Sequence, residues 1–396
     1  MERSAVALAN SVQEAIAAHN ESPTGPLPLQ DMTSANWIRA LAVTTLLASA
    51  CGSTPTAGNA PSPSASASPS ASPTPATNPC PPPSNRCLAM VALRGTNPWV
   101  LRDITNISHA STVSTFMTSP PQFVSGTELS YADETGLYRM PLAGSPKTRV
   151  SKSGQTAGLF SWSPNGRTVA YLAQNSSGMT LHLLSAGVDR AVAGTAPTVP
   201  VTGCESQFCG QDWDLRLSYS PDGAFISLVE SIAGVSAFRL WSSDGTVIIS
   251  SNSGANAMST WSGDAFYFPG ADGVDLWRDG TRSSFLPGVT WIRPHASSSG
   301  HQIVYESKDA QGWSHAFVVD TTTRVVRELK KGRSAPAFLT SRYIWYKGQR
   351  ACAAADSCPS GWTVVDSGKA YIYDLQDGTE TESIITAVYD VWPHLA

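Results

Sequence analysis

The seven cysteines are the residues of this sequence whose spacing points most directly to chemistry. Six of them form three couples along the chain, which are Cys80 and Cys87, Cys204 and Cys209, and Cys352 and Cys358. An even number of closely spaced cysteines in an exported protein predicts disulfides, and each would stabilise its short loop by roughly 2 kcal/mol. Zinc is the alternative, but no couple combines metal-ligand spacing with a second couple nearby. We therefore expect three disulfides, no metal and no cofactor.

The seventh cysteine, Cys51, follows an apolar stretch and indicates lipid attachment. Residues 40–47 are apolar, Arg39 places a positive charge before them, and the small residues 48–50 precede the cysteine. This order of features resembles a bacterial lipoprotein signal peptide. The stretch is too short to cross a membrane, which takes about 20 apolar residues. We predict a signal peptide at 32–50 and a diacylated Cys51 that anchors the exported protein to the outer face of the cell membrane.

The segments on either side of this signal carry no pattern of a folded domain. Residues 1–31 contain acidic side chains where a signal would need positive charge, so Met32 is the expected start and 1–31 an over-extended, disordered N-terminus. Residues 51–86 are rich in Ser, Pro, Ala and Thr and carry no charge before Arg86. Such a segment has little to bury, so we predict a flexible tether.

Signatures of catalysis are scarce. The sequence has no Gly-x-Ser-x-Gly elbow, no His-Glu-x-x-His motif and no phosphate-binding glycine loop. The histidines are scattered, and those nearest one another, His295, His301 and His315, are expected to be exposed or packed in the core. Three residues could be mistaken for a repeated polar site but fall in tight turns, where we expect structural roles: Asn165, Asp222 and Asp264.

Internal repeats predict the fold that must position any functional residue. Residues 160–171 and 217–228 share an aromatic residue, Ser-Pro, Asn/Asp-Gly and then an alternating apolar strand. Weaker copies begin near residues 122, 259, 291 and 336, and each copy is followed by a third strand and often a fourth. Four antiparallel strands joined by tight turns are typical of a propeller blade.

The Ser-Pro-Asn/Asp-Gly repeat resembles the TolB-like family of β-propellers, over roughly residues 87–396. The resemblance implies architecture rather than a particular function. The strands at 88–93 and 99–102 lack a first strand, whereas residues 388–393 form a first strand with nothing after it. Joined, they complete a blade and remove an exposed edge. We therefore predict an all-β domain, a seven-bladed propeller of four-stranded antiparallel blades closed by its C-terminal strand, with six blades, usual in that family, as the alternative.

Composition and loop placement limit which partners the protein can have and which residues could bind them. The net charge is −4 and charged residues make up 14% of the chain, which argues against nucleic acid as a partner. The long connections, predicted at 193–214 and 347–368, lie on the face opposite the Asp-Gly turns. The candidate ligand residues of that face are Trp213, Trp313, Trp362, Asp212, Asp214, Asp309 and Asp366. The alternative for the tryptophans is that they cap their own blades.

Two classes of function follow from these patterns. The first is a monomeric, surface-anchored lipoprotein whose propeller is a non-catalytic binding or scaffolding module for a protein or glycan partner. The second is an extracellular hydrolase or lyase acting on glycans or peptides, which would need two carboxyl groups converging in a deep pocket.

Overall fold

A computed structural model describes most of the region after the tether. The described residues are 80, 85–116, 121–133, 135–151, 157–175, 178–192, 215–232, 235–252, 258–353, 356, 358 and 363–393. They all belong to one compact unit, Pro73–Ala396. The predicted signal peptide, Cys51 and nearly all of the tether lie outside these residues.

The strands fall into seven sheets of four. Blade one contains β1 (Leu88–Leu93), β2 (Trp99–Asp103) and β3 (Ser111–Phe116). Blade two contains β4 (Gln122–Phe123), β5 (Glu128–Asp133), β6 (Gly136–Pro141) and β7 (Thr148–Arg149). Blade three contains β8 (Ala157–Trp162), β9 (Thr168–Asn175), β10 (Gly178–Ser185) and β11 (Val188–Ala191). Blade four contains β12 (Leu215–Tyr219), β13 (Phe225–Ile232), β14 (Val235–Ser242) and β15 (Val247–Asn252).

The remaining strands continue the same order. Blade five contains β16 (Thr260–Ser262), β17 (Ala265–Gly270), β18 (Gly273–Arg278) and β19 (Thr281–Pro287). Blade six contains β20 (Ile292–Ala296), β21 (Gln302–Lys308), β22 (Ser314–Asp320) and β23 (Val326–Lys331). Blade seven contains β24 (Arg333–Phe338), β25 (Tyr343–Ala351), β26 (Val364–Asp374) and β27 (Glu380–Ser383), and β28 (Ile385–Trp392) follows. The one helix among the described residues is a 3-10 turn, Ile107–His109, and none of them forms a helix able to span a membrane.

The Ser-Pro-Asn/Asp-Gly turns join first and second strands as expected. In blade three the Ser163 hydroxyl donates to Asn165 Oδ1 at 2.9 Å, and it accepts from the Thr168 amide at 3.0 Å. Ser220 and Asp222 repeat this arrangement in blade four, where the two side chains are 2.5 Å apart. Asn165 Oδ1 also accepts from the Arg167 amide, and Asp222 Oδ1 from the Ala224 amide, so both side chains satisfy backbone donors inside the turn. Asp264 instead forms an exposed ion pair with Arg278 at 2.9 Å.

The C-terminal strand closes the ring, which confirms seven blades and shows the six-bladed alternative to be wrong. β28 pairs antiparallel with β1, so the first sheet has the order β28-β1-β2-β3. Further bonds join β28 to both neighbouring blades. The Trp345 indole donates to the Ile385 carbonyl at 2.9 Å, and the Phe123 amide donates to Asp390 Oδ2 at 2.7 Å. Because β28 pairs with β1, the inner edge of blade one is not left exposed.

Apolar side chains fill the space between blades. Three tryptophans, Trp241, Trp291 and Trp345, are buried in this way. First strands of neighbouring blades contact one another, as β16 does β20 and β20 does β24, so the first strands line the inner edge of the ring. We call the side with the first-to-second-strand turns the turn face. The opposite side, with the second-to-third-strand and blade-to-blade connections, is the loop face.

One predicted loop is shorter than expected. The β25–β26 hairpin of blade seven is longer than expected, with Gln349 opposite Asp366 and Ala351 opposite Val364. The connection is therefore 352–363 instead of 347–368, and Asp366 lies in strand β26. Cross-strand pairing satisfies these backbone groups more fully than a loop would.

Candidate binding face

Trp313 lies on the loop face at the end of the β21–β22 hairpin of blade six. Its indole is half-buried and rests against Gly332, where an added Cβ would come within 3.3 Å of the ring. Gly332 has a φ of +71°, which favours glycine at this position. Lys331 Nζ lies 6.0 Å from the centre of the indole, within reach of a cation–π interaction. The tryptophan thus packs across the junction of blades six and seven and keeps part of its surface exposed.

Asp309 shapes the hairpin that carries this tryptophan. Its Oδ1 accepts from the Trp313 amide at 2.9 Å and from the Gln311 amide at 3.0 Å. Its Oδ2 accepts from Lys331 Nζ at 2.9 Å and lies 3.2 Å from His315 Nε2. The bond from Lys331, together with the others, holds the pKa of Asp309 well below its usual range. Asp309 is therefore ionised at neutral pH and fully engaged.

His315 lies between two carboxylates. Its Nδ1 is 2.7 Å from Glu328 Oε1, and its Nε2 faces Asp309. A general base needs a free nitrogen aimed at the substrate. Both nitrogens of this ring are already occupied, so the arrangement orders the surface instead of presenting a base.

A buried polar network continues inward from this surface. Glu306 on β21 is 1% exposed, and its carboxylate accepts from the Ser314 hydroxyl at 2.6 Å and from the Ala335 amide at 2.9 Å. Gln349 Nε2 donates to the same hydroxyl at 2.9 Å, while Gln349 Oε1 accepts from the Ser314 amide at 2.8 Å. Arg293 on β20 places Nη1 3.4 Å from Glu306 Oε2. Blades six and seven are thus joined by hydrogen bonds beneath Trp313.

Sequence reasoning missed this network, although a signal for it exists. Glu306 follows Ile303-Val-Tyr305 and so places a carboxylate within an otherwise apolar strand. A buried carboxylate requires partners from somewhere in the fold. Those partners come from other strands and from blade seven, and no local pattern names them.

The disulfide predictions hold where the structure describes them. Cys352 is bonded to Cys358, and Cys80 to Cys87. Cys352, Cys358 and Asp356 could suggest a metal site, since their donor atoms lie within 4.8 Å of one another. The two sulfurs are joined to each other, however, and Arg350 Nη2 donates to Asp356 at 2.8 Å. That pairing lowers the pKa of Asp356 to about 2. The disulfide and the ion pair therefore stabilise a loop and do not form a metal centre.

The other predicted face residues divide into two groups. Asp366 is exposed on β26, opposite Gln349, and its side chain accepts from the Gly368 amide at 2.8 Å. Residues of the face that lie outside the described part of the chain are Trp213, Trp362, Asp212, Asp214, Cys204 and Cys209. For these the predictions stand as made. Of the histidines, His295 is half-buried and accepts from the Phe338 amide at 3.2 Å, whereas His301 is exposed in a turn-face connection.

The chain before β1 joins the propeller on the turn face. The Cys87 carbonyl accepts from the Ile104 amide at 2.9 Å, and Ile104 begins the turn-face connection between β2 and β3. Both Cys80 and Cys87 are 1% exposed, in a cluster that also contains Leu339 of the blade seven turn. The chain therefore enters the ring on the side opposite Trp313.

The fold defines a class, the seven-bladed β-propellers with four-stranded antiparallel blades. Solved structures with similar folds include TolB from Acinetobacter baumannii, at 12% identity and a TM-score of 0.39, covering 77% of this chain and 80% of that one. A puromycin-hydrolysing peptidase from Mycobacterium tuberculosis matches at 10% identity and a TM-score of 0.47, covering 75% of this chain and 53% of that one. Dipeptidyl peptidase 4 from Porphyromonas gingivalis matches at 11% identity and a TM-score of 0.42, covering 76% and 49%. No protein-family model and no curated protein matches the sequence.

Proposed function

We propose that this protein is a lipid-anchored binding module, displayed on the outer face of the cell membrane, whose loop face holds a protein or glycan partner without acting on it chemically. The observation that carries the proposal is the state of the polar groups around Trp313. Hydrogen bonds engage both oxygens of Asp309, both nitrogens of His315 and the carboxylate of Glu306. These groups give the aromatic surface a fixed shape.

A fixed surface with a half-exposed tryptophan suits recognition. Binding energy tends to concentrate in a few aromatic or arginine side chains held in place by their surroundings. Preorganisation lowers the entropy lost on binding. Trp313 and Lys331 present an aromatic face and a cation side by side, a combination that either a protein or a carbohydrate partner can use.

The entry of the tether supports the orientation. A chain anchored through Cys51 reaches the propeller at Cys87, on the turn face. The loop face is then opposite the point of attachment, so the tether leaves it free for a partner that arrives from outside. Two or more acyl chains at Cys51 would hold the protein firmly, since one chain anchors only marginally.

Photo-crosslinking from the two faces of the protein on intact cells tests the binding. A photoreactive residue replaces Gln311, beside Trp313, and in a matched control replaces Arg167, which is exposed on the turn face. We expect labelling of a partner from position 311 alone. Adding Trp313→Ala should lower the affinity for the partner by about 30-fold, the effect expected of a binding hot spot, and the labelling should weaken accordingly. Equal labelling from both faces would contradict the proposal, as would cleaved glycan or peptide products released by the purified protein.

The anchor has its own experiment. Cys51→Ser should release the protein into the medium or leave its signal peptide unprocessed. A variant retained normally at the membrane would show that Cys51 is not the anchor. This outcome would leave the loop-face binding itself untouched.

A further inference from the structure

Arg293 is held less completely by its neighbours than the other ionised groups described above. It lies at the loop-face end of β20, a first strand at the inner edge of the ring. Its side chain is 34% exposed, and the one side-chain hydrogen bond that it makes to a described residue, Glu306, is long at 3.4 Å. Its Nε is buried and has no hydrogen-bond partner among the described residues. A buried donor without an acceptor is costly, so the contacts of the fold do not explain this guanidinium, whose exposed part is open to a ligand.

The backbone does not account for this arginine. Arg293 has a φ of +51° and precedes Pro294, in a bulge where β20 shifts register against β21. Ala335 occupies the same position in blade seven, with a φ of +50°, and precedes Pro336. An alanine therefore suffices for the bulge. The left-handed conformation belongs to the bulge in both blades, so the backbone does not explain why an arginine stands at 293.

Glu306 does not account for it either. The Glu306 carboxylate already accepts two shorter bonds, from the Ser314 hydroxyl and the Ala335 amide. Arg333, on the neighbouring first strand, is an arginine whose hydrogen bonds are made within the fold. It donates from Nε at 2.9 Å and from Nη2 at 2.6 Å to the two oxygens of Glu380. Arg293 has no comparable fork of bonds among the described residues.

Arg293 lies against blade five. Met258, just before the first strand of that blade, places its sulfur 2.9 Å from the Arg293 amide nitrogen. The next residue, Ser259, has a buried hydroxyl that finds no hydrogen-bond partner among the described residues. The loop-face ends of two adjacent first strands therefore meet beside Arg293.

We propose that the exposed part of the Arg293 guanidinium binds a carboxylate of the ligand where blades five and six meet at the inner edge of the ring. This inference rests on the proposed function, and it names the chemistry of the ligand. A guanidinium pairs with a carboxylate through two parallel hydrogen bonds. The charge of Glu306 offsets that of Arg293, so a singly charged carboxylate is favoured over a doubly charged phosphate. The ligand is accordingly a molecule that presents a carboxylate.

Nuclear magnetic resonance of the full-length protein labelled with 15N-arginine tests the site, with sodium acetate as the probe. The Nε–H signal of Arg293 is assigned by its loss in Arg293→Lys. We expect acetate to shift this signal saturably, with a dissociation constant on the order of tens of millimolar. The Nε–H signal of Arg333 serves as the matched control and should not move.

Variants and a second anion make the outcome decisive. In uniformly 15N-labelled protein, followed through backbone amides near position 293, Arg293→Gln should weaken acetate binding at least about tenfold, while Arg293→Lys keeps the charge and part of the affinity. A shift that stays linear in acetate, or that matches sodium chloride at equal ionic strength, would refute the site. Tighter binding of phosphate than of acetate would refute the carboxylate assignment. Saturable binding without any crosslinked partner from position 311 would remove the proposed function and leave the anion site. A crosslinked partner without an acetate shift would do the reverse.

Discussion

Two adjacent isoleucines at the ring closure provide a matched test of the fold. Ile385 begins β28 and is 4% exposed in the cluster between blades seven and one, whereas Ile384 is 58% exposed. Both backbone carbonyls accept hydrogen bonds, from Trp345 Nε1 and from the Arg94 amide. Substitution by alanine keeps those bonds in both variants. Any difference between the variants therefore reports the apolar contact of the side chain.

The expected magnitudes follow from burial. Ile385→Ala removes three carbons from the core, worth about 0.8 kcal/mol each, and leaves a cavity beside the Trp345 ring. We expect a total loss of about 3–4 kcal/mol in the free energy of unfolding. Ile384→Ala removes the same atoms from a site that is mostly in water, and should cost at most about 1 kcal/mol.

Urea denaturation followed by tryptophan fluorescence measures both losses. With a slope of about 3 kcal/mol per molar, Ile385→Ala should lower the midpoint by about 1 M, and Ile384→Ala by a third of that or less. Equal midpoints for the two variants would refute the reasoning, because the closing strand would then contribute nothing through its buried side chain.

Four further outcomes are expected. Deleting residues 388–396 should abolish cooperative unfolding, because β1 loses its partner strand, while deleting residues 1–31 should leave the unfolding curve unchanged; a cooperative curve at the original midpoint after the first deletion would contradict closure. Glu306→Ala should lower the free energy of unfolding by about 3 kcal/mol or more in urea denaturation, because buried donors lose their acceptor. The exposed Glu328→Ala should lower it by about 1 kcal/mol or less. The pKa of Asp309 is lowered in the folded protein, so its carboxylate stabilises the fold above the unfolded value near 4 and that stabilisation disappears as pH falls; the stability difference between wild type and Asp309→Asn should shrink below about pH 4, and a difference constant with pH would contradict this. Replacing Cys352 and Cys358 by serine should cost about 2 kcal/mol, and the same change at the buried Cys80 and Cys87 should cost more, although the loops are of similar size.

The blades themselves could be read from the sequence because their determinants are local. Ser163, Asn165 and Gly166 lie within four residues and form their turn largely among themselves. Alternation of apolar residues depends only on the period of two along a strand. The same locality made the short disulfides predictable, and it gave the number of blades once the unpaired terminal strands were matched.

The candidate site could be predicted only in part. The sequence indicated that Trp313 and Asp309 lie on the loop face, because both fall in a connection between a second and a third strand. It placed Asp366 in a loop, and the structure shows that residue in β26, since cross-strand pairing with Gln349 extends the hairpin. When two paired strands are joined by a long connection, the local sequence does not show where the paired strands end and the loop begins.

Tertiary structure alone decided which polar groups have partners. Sequence determined that Glu306 and Arg293 carry charge. The ring decided that the carboxylate would meet Ser314 and the amide of Ala335, while Nε of the guanidinium found no partner among the described residues. Ala335 is 29 residues from Glu306 along the chain and belongs to another blade. Contacts of that kind depend on how neighbouring blades pack, and their energy appears only when the ring closes.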